Sequence, residues 1–404
     1  MTYKKNIFFT AFTIGILWAL TMSIVVSVIL SFITGSPLKP NILIVISIGS
    51  IAGILNLHVL RSTLILLLLI ISSILLSTLT YGPITIGHDI SHLLNYASQT
   101  LFAASTVLPL TKILSGLYVK ESGSHEIEQA FIRFSSGFGL IFFTMIVLIP
   151  FYVMLMTSLK TQQELFLTPF DFSIDLSKGL ILFGCYSVLF QDFGFGRYLW
   201  TSFYVSTATV LVTLGFSIPG AYAVARLRFR GSSAFSRSIL LIYMVPMIVL
   251  ALPIYILFSL TGLRNTILGL VLIYPVTTIP VALYMLQGYF RGLPYEIEEA
   301  GLMDGLSRLA VIWKITLPLA LPALASVSLY VFMIAWNEFL LAFMLLDDPL
   351  TFTLTRGVAS LNSSEVPRQH LMAGAVISTV PILLIFLFLE RFMTKGLTAG
   401  SVKG

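Results

Sequence analysis

Apolar residues dominate this chain in long runs, each bounded by Gly, Pro or charged residues. A helix needs roughly 20 apolar residues to cross the hydrocarbon core of a bilayer, and most of the runs reach that length. They predict about ten membrane-spanning helices, at residues 7–33, 41–59, 62–80, 94–118, 137–158, 199–225, 238–260, 266–290, 318–346 and 370–392. The fourth run is more polar than the others, and the number of spans is nine if it lies in the membrane interface instead.

Composition supports this assignment. The chain is 57% hydrophobic and 10% charged, whereas an average soluble domain is about 25% charged. The first run follows Lys4 and Lys5 but is too long for the apolar part of a signal peptide, so we interpret it as a membrane helix. The net charge of +6 comes from scattered Lys and Arg, so we expect contact with membrane lipid and no nucleic acid. Cys185 is the only cysteine, which excludes an internal disulfide.

The Lys and Arg residues of the short loops alternate with the spans and fall on one side of the membrane if there are ten spans. Such residues favour the cytoplasmic side, so both termini are predicted to be cytoplasmic in a multi-pass protein of the cell membrane. The loops 159–198 and 347–369 then lie outside. The polar segment 119–136 is the predicted linker between an N-terminal part, 1–118, and a second part, 137–404.

One predicted cytoplasmic loop, 294–318, has an amphipathic pattern with helix caps. Pro294 suits the first turn of a helix, Gly305 suits the end of that helix, and Ser307 suits the start of a second one. The pattern predicts a short helix–turn–helix with an apolar tip. Amphipathicity alone fits a docking surface and an ordinary solvated loop equally well.

The spacing within this loop changes that balance. The loop contains Glu299-Ala300-Gly301, then three residues before Gly305, then nine residues before Ile315-Thr316-Leu317-Pro318. This pattern resembles the EAA loop of ABC importer permeases. The family pattern is E-A-A-x3-G-x9-I-x-L-P, and Gly301 replaces its second Ala. This small-for-small change leaves the spacing intact.

The resemblance extends over residues 137–404, about two thirds of the chain, which are similar to the MalG-like permeases of maltose-type sugar importers. It rests on Pro219 to Arg226, on Trp336-Asn337-Glu338-Phe339, and on the tail from Lys395 to Gly404. The fold it implies is all-α, a type I ABC importer transmembrane domain with a six-span core. About four N-terminal helices exceed that pattern, and the family assigns them no role.

The resemblance implies a permease subunit that imports a carbohydrate, such as maltose, maltodextrin, trehalose or a related oligosaccharide. The implied partners are a second, MalF-like permease, a MalK-like ATPase homodimer and an external sugar-binding protein. ATP and Mg would be bound by the ATPase, and no cofactor by this chain. The implied ATPase-coupling residues are Glu298, Glu299, Ala300, Gly301, Leu302, Met303, Asp304 and Gly305. The tail 393–404 implies a second ATPase contact at Gly396, Leu397, Thr398, Gly400, Lys403 and Gly404.

Other polar residues have weaker patterns. Gln287, Asn337 and Glu338 lie within predicted spans and are candidates for a translocation pathway, although Glu338 also suits an interfacial position. The external loop 347–369 corresponds in position to the family's contact with its binding protein, through Asn362, Ser363, Ser364 and Gln369; an inert polar loop is the alternative. His88 and His92 have no clear third metal ligand, so no metal site is predicted.

The sequence has no phosphate-binding GxxxxGK[ST] pattern, nucleophile elbow or HExxH motif, so we expect a transport subunit that is not itself an enzyme. The alternative from another class is an ion-gradient-driven secondary transporter, which predicts broken helices and buried carboxylates near the membrane midplane. Few acidic residues lie deep in the predicted spans.

Overall fold

Long apolar runs with helix-forming residues give helices throughout the chain, because a backbone in lipid must satisfy its own hydrogen bonds. The computed structural model describes residues 2–57, 62–79, 81–85, 92–117, 124–168, 171 and 173–398. It divides into two compact units, residues 1–179 and 180–404.

The first unit contains six helices and a short antiparallel strand pair among its described residues. They are α1 (Thr2–Thr34), β1 (Lys39–Pro40), α2 (Ile42–Leu57), α3 (Ser62–Thr78), β2 (Ile84–Thr85), α4 (His92–Ile113), α5 (Ser124–Ser158) and α6 (Gln162–Leu167). In the strand pair Lys39 lies opposite Thr85.

Small residues let α1 and α2 approach closely. A Cβ on Gly53 would lie 2.1 Å from the carbonyl oxygen of Ala11, and one on Gly15 would lie 2.3 Å from that of Gly49. Side chains of any size are therefore excluded from this contact, as in other closely packed membrane helices. Trp18 of α1 donates its indole N–H to the carbonyl of Ser105, 3.3 Å away, which joins α1 to α4.

The fifth helix starts earlier than predicted. Residues 124–136, assigned to a polar linker, form the first turns of α5, a single 35-residue helix. Phe134 of α5 packs edge-on against Trp18 at a centroid distance of 6.3 Å, and the Tyr152 hydroxyl donates to the carbonyl of Phe32 at 3.0 Å. Because α5 packs on α1 through both Phe134 and Tyr152, α5 belongs to the first unit. The boundary between the units therefore comes after α5 in the chain and not at the predicted linker.

The second unit is helical throughout its described residues. Its α-helices are α7 (Gly184–Gln191), α8 (Phe195–Arg226), α9 (Ser232–Tyr243), α10 (Met247–Leu260), α11 (Ile267–Gly292), α12 (Tyr295–Met303), α13 (Arg308–Val311), α14 (Leu317–Leu319), α15 (Leu321–Asn337), α16 (Leu340–Leu345), α17 (Leu354–Ser360) and α18 (Arg368–Thr398). A π-helical segment, Ile312–Thr316, lies between α13 and α14, and 3-10 turns cover Leu176–Phe183, which crosses the boundary between the units, and Pro349–Thr351.

Helices α8 and α11 pack along each other at the centre of the second unit. The buried face of α8 carries small hydroxyl residues, Ser206, Thr209, Thr213 and Ser217. The Thr213 and Thr278 hydroxyls are 2.7 Å apart and form a hydrogen bond between the two helices. Small polar residues of this kind allow close packing where no hydrophobic force drives helices together.

Each of the ten predicted segments contains helix, but fewer of them are full-length spans. Among the described residues, five helices have the length and apolarity to cross a membrane, within α1, α5, α8, α11 and α18, and a bent pair makes up to a sixth. Helices α2 and α3 have 16 and 17 residues, about 25 Å at 1.5 Å per residue, which is shorter than the bilayer core of about 30 Å.

Two predicted spans are interrupted. The run 238–260 is divided into α9 and α10 beside Pro246, whose ψ of 127° is extended and cannot continue a helix. The run 318–346 is also divided, because the helical segment 308–319 meets α15 at an angle of 78° and α15 ends at Asn337. Apolar composition located these segments correctly and did not reveal the breaks.

Candidate functional site

The segment 294–318 folds as two short helices joined at Gly305, as the caps predict. Pro294 lies just before the first turn of α12, with an extended ψ of 130°, one position earlier than expected. Gly305 has φ +85°, and the N–H groups of Gly305 and Leu306 bond to the carbonyls of Leu302 and Gly301, each at 3.1 Å. This is the Schellman arrangement that ends a helix with a left-handed glycine.

The second helix of the loop leads into the membrane. The Ser307 hydroxyl accepts the N–H of Ala310 at 3.3 Å, which caps α13. The helix then passes through the π-helical segment and α14 before the 78° bend at Ala320. Pro318 and Pro322 lie in the first turns on either side of this bend, where a missing N–H is tolerated.

The eight predicted coupling residues do not share one environment. Those on the surface are Glu299, Ala300, Met303, Asp304 and Gly305, whereas Leu302 is half-buried and Glu298 and Gly301 are buried. The adjacent residues Glu298 and Glu299 therefore point in different directions. Only the exposed members lie where a partner protein can touch them, and the coupling role of the set stays a prediction.

Glu298 is the centre of a buried polar cluster. One carboxylate oxygen lies 3.2 Å from Nε of Arg226 and accepts the Thr316 hydroxyl at 3.1 Å. The other oxygen accepts the Tyr222 hydroxyl at 3.1 Å. The side chains of Arg226 and Glu298 are 2% and 10% exposed. The carboxylate is thus bonded to residues from α8 and from the π-helical segment.

Arg226 also holds the start of α12. Its Nη2 donates to the carbonyl of Leu293 at 2.8 Å, and its guanidinium lies 4.1 Å from the centre of the Tyr295 ring. The Tyr295 hydroxyl donates to the carbonyl of Ala225 at 3.3 Å. Arg226 lies in the last turn of α8 and Glu298 in the first turn of α12, the ends where positive and negative charge respectively are favoured by the helix dipole.

From the sequence, Arg226 was interpreted only as a charge that sets orientation and as part of a family stretch. Its role in this cluster was missed, because the whole of α9, α10 and α11 separates residue 226 from residue 298. The available signal was a cation at the end of one predicted span and a carboxylate just after another, both on the same predicted side.

Close packing explains why position 301 is a glycine. A Cβ at this position would lie 2.5 Å from Cδ1 of Ile315 and 3.5 Å from side-chain atoms of Leu306 and Val311. The two helices of the loop therefore touch at Gly301. The alanine of the family pattern fits here only if the flexible end of Ile315 turns away.

Apolar side chains project from this loop. Met303 is 88% exposed, and Leu309 and Trp313 are each 70% exposed. We call these three residues, with the exposed Glu299 and Asp304, the docking surface. The exposed cations Arg308 and Lys314 lie next to Leu309 and Trp313 in the sequence, so charges of both signs surround the apolar groups. An exposed apolar group with a polar rim is typical of a protein contact.

The predicted pathway residues are engaged within the protein. Gln287 is buried and bonds to the Ser236 hydroxyl at about 3 Å. Asn337 is exposed and donates to the carbonyl of Met333 at 3.0 Å. The Glu338 carboxylate accepts the N–H groups of Leu341 and Ala342 at 2.9 and 3.1 Å, so it caps α16. These contacts explain the three residues structurally, and a pathway role stays a prediction.

The loop 347–369, which is predicted to be external, also contains both exposed and buried candidates. Asn362, Ser363 and Ser364 are exposed, whereas Gln369 is 8% exposed in the first turn of α18. The first three are available to a partner and Gln369 is not. The N–H of Leu354, at the start of α17, donates to the Ser202 hydroxyl of α8 at 2.7 Å.

The base of this loop is held by Asn265, which has a positive φ of 58°. Its Oδ1 accepts the N–H groups of Asp347 and Asp348 at 3.1 and 3.0 Å and the Thr351 hydroxyl at 3.2 Å. Next to it, Arg264 pairs with Asp347 at 2.5 Å. Asparagine tolerates the left-handed conformation better than most residues.

The tail is described only in part. Helix α18 continues through Thr398, so Gly396, Leu397 and Thr398 lie on a helical backbone, while Gly400, Lys403 and Gly404 lie outside the described residues. His92 is exposed, and His88 is also outside the described residues. Among the residues that the structure describes, no three His, Cys, Asp or Glu side chains form a metal-binding group.

Fold and site together define a class of protein, a multi-pass helical membrane protein with a two-helix loop between its spans. Comparison with known proteins gives the family. Residues 216–398 match the family described as "Binding-protein-dependent transport system inner membrane component". The chain is 38% identical over 273 residues to the inner membrane ABC transporter permease protein YcjP of Escherichia coli (strain K12), which covers 66% of this chain and 95% of that protein. The chain therefore belongs to the family of binding-protein-dependent transport system inner membrane components.

Other relatives support the predicted resemblance to MalG-like sugar permeases. The trehalose/maltose transport system permease protein MalG of Thermococcus litoralis is 35% identical over 212 residues, which covers 52% of this chain and 76% of that protein. The trehalose transport system permease protein SugB of Mycobacterium tuberculosis is 34% identical over 232 residues, which covers 57% of this chain and 85% of that protein. The chain is thus a multi-pass transport subunit of ABC importer type, and the ion-gradient alternative loses its support.

A solved structure confirms the fold. One chain in the crystal structure of a bacterial ABC transporter involved in the import of the acidic polysaccharide alginate matches with a TM-score of 0.57 and 21% identity. The match covers 67% of this chain and 98% of that chain. The predicted all-α architecture of a type I importer domain is therefore correct, and a third of this chain extends beyond the match.

Proposed function

We propose that this chain is the permease subunit of an ATP-driven importer that takes up a carbohydrate, with the docking surface as its contact with a separate ATPase. The observation that carries the proposal is the docking surface itself. Met303, Leu309 and Trp313 expose apolar area from a loop whose two helices are fixed to each other and to α8. A rigid, exposed apolar knob supplies both the burial that binds a partner and the stiffness that transmits its movement.

The remaining partners follow from the family. A binding-protein-dependent transporter needs an external binding protein, and Asn362, Ser363 and Ser364 form an exposed polar tip that suits this contact. We infer a second, MalF-like permease and a MalK-like ATPase pair that binds ATP and Mg. Both termini and the docking surface lie on the cytoplasmic side in this proposal, as the Lys and Arg distribution predicts.

A trehalose- or maltose-type sugar is the proposed substrate. It is supported by relatives that are named for the transport of trehalose, maltose and arabinooligosaccharides. The test is uptake of radiolabelled trehalose, maltose and maltotriose by cells that carry or lack the gene for this chain. If each of the three sugars is taken up equally by the two strains, the proposed substrate class is refuted.

The docking surface is tested by one charge substitution and a matched control. Met303→Asp places a carboxylate in the apolar contact, whereas Leu350→Asp makes the same kind of change at a residue that is 62% exposed on the opposite side of the chain in our topology. Loss of a central contact of at least 1.4 kcal/mol lowers binding about tenfold or more. We expect the tagged Met303→Asp chain to retain at most about a tenth of the co-purified ATPase. Equal recovery of the ATPase with both variants would refute the proposed contact.

A further inference from the structure

Helix α8 links the loop that carries the docking surface to the external segment on the opposite side of the second unit. We propose that Arg226 and Glu298 are positioning residues that lock α12 to α8, so that α8 carries a displacement of the docking surface to α17. This inference rests on the proposed function, since it assigns the route by which an ATPase movement crosses the membrane.

The first step is the connection at one end of α8. The Glu298 carboxylate binds Arg226 and Tyr222 of α8 and Thr316 of the π-helical segment within 3.1 to 3.2 Å. Tyr295 adds a hydrogen bond from α12 to the backbone of Ala225. A carboxylate that joins three elements resists sliding of any one of them, because each of its bonds has a preferred direction and length.

The second step is burial. With side chains 2% and 10% exposed, the ion pair has little water to screen its charges, and the hydroxyls of Tyr222 and Thr316 supply the hydrogen bonds to the carboxylate. In such surroundings charged hydrogen bonds are stronger than at a surface, and separating the partners leaves a buried charge without compensation. The pair therefore fixes the position of α12 relative to α8.

The third step is the length and the far end of α8. Its 32 residues extend about 48 Å at 1.5 Å per residue, enough to cross a whole bilayer of about 40–45 Å including its head groups. At its far end Ser202 accepts the N–H of Leu354 at 2.7 Å. A Cβ on Gly357 of α17 would lie 2.3 Å from the Tyr198 ring, so α17 lies directly against α8.

Together these contacts form a continuous chain of packed groups from Glu298 to α17. Helix α17 precedes the exposed tip at Asn362, Ser363 and Ser364. Pro219 lies between these contacts, but α8 is one continuous helix from Phe195 to Arg226, so a movement of α12 reaches the external tip along a single element. We expect the two ends of this helix to move together.

The experiment compares the wild-type chain with Arg226→Met/Glu298→Gln. This double variant removes both charges. The Gln oxygen accepts one of the two hydroxyl hydrogen bonds, from Tyr222 or Thr316, and the amide NH2 donates to the oxygen of the other hydroxyl. Spin labels at Glu296, which is exposed on α12 outside the docking surface, and at Trp200, which is 68% exposed, report the distance between α12 and the far end of α8. Labels at Trp200 and Phe216, both exposed on α8, form the control pair. All four samples carry Cys185→Ser and are measured in the importer assembled with its ATPase, without nucleotide and with vanadate-trapped ADP.

In the wild-type chain we expect the 200–296 distance distribution to keep its position and width in both states, as for one rigid body. In the double variant that distribution should broaden or shift on vanadate trapping, while the 200–216 pair stays constant. Uptake per ATP hydrolysed should fall about tenfold in the double variant although the ATPase still co-purifies.

Two results separate the possible failures. If the ATPase does not associate with the wild-type chain, the proposed function fails. If it associates with both chains and the 200–296 distributions respond alike, or if uptake per ATP is unchanged in the double variant, the positioning role is refuted and the proposed function survives. A change in the 200–216 control distance would show that α8 bends before Pro219, which also contradicts transmission along α8.

Discussion

Removal of the Arg226 charge alone gives the sharpest test of the buried cluster. Arg226→Met keeps most of the aliphatic volume of the side chain but leaves the Glu298 carboxylate, 10% exposed, without its cation. Removing one partner of a buried ion pair costs about 3–5 kcal/mol. Because Tyr222 and Thr316 still donate to the carboxylate, we expect the lower end of that range. A loss of about 3 kcal/mol lowers the ratio of folded to unfolded protein roughly a hundredfold.

The assay is the free energy of unfolding in detergent micelles, measured by denaturant titration for four chains. Arg228→Met is the matched control, because Arg228 is exposed just beyond α8, and it should change stability by no more than about 0.5 kcal/mol. Arg226→Met/Glu298→Gln should recover most of the loss, since the uncompensated charge is gone. If Arg226→Met costs less than about 1 kcal/mol, or no more than the control, the pair is not desolvated as the structure shows and the reasoning is wrong.

Three further predictions concern single positions. Gly305→Val should lower stability by about 1–2 kcal/mol and weaken ATPase recovery, because φ at this position is +85°. The cause is the backbone conformation and not crowding, since nothing lies within 4 Å of the Cβ position. An equal loss in Ser307→Val, which removes only the neighbouring cap, would contradict this reason. Gly301→Ala should retain uptake, since only the end of Ile315 must move, whereas Gly301→Leu should abolish it; equal uptake by both would refute the close packing. Asn265→Gly should keep the turn but lose three hydrogen bonds. Limited proteolysis should therefore cut residues 346–353 faster in this variant than in the wild-type chain, and faster still in Asn265→Ala. Unchanged cleavage would refute the role of Asn265.

The sequence predicted the features that depend on local composition. Long apolar runs located α1, α8, α11 and α18, and the caps at Gly305 and Ser307 located the ends of the loop helices. These predictions succeed because hydropathy and capping depend on a few neighbouring residues. The start of α5 at Ser124 was missed, because a helix can extend beyond its apolar part into polar sequence.

Features that depend on distant partners were not predictable. Glu298 and Glu299 are chemically identical neighbours, and only Arg226, Tyr222 and Thr316 in the folded chain show which carboxylate is buried. The same holds for Gln287, whose polar position in a span suggested a pathway but whose partner is Ser236 of α9. The break at Ala320 was also missed, because the prolines beside it are compatible with a continuous span.

The most direct test of the central claim is photocrosslinking from the docking surface in native membranes. A photoreactive residue replaces Met303 in one sample and Leu350 in a control, both highly exposed. We expect position 303 to form an adduct whose mass and peptides identify an ATPase subunit, and position 350 to form no such adduct. If position 303 yields no adduct with an ATPase, or position 350 yields the same adduct, this loop is not the ATPase contact.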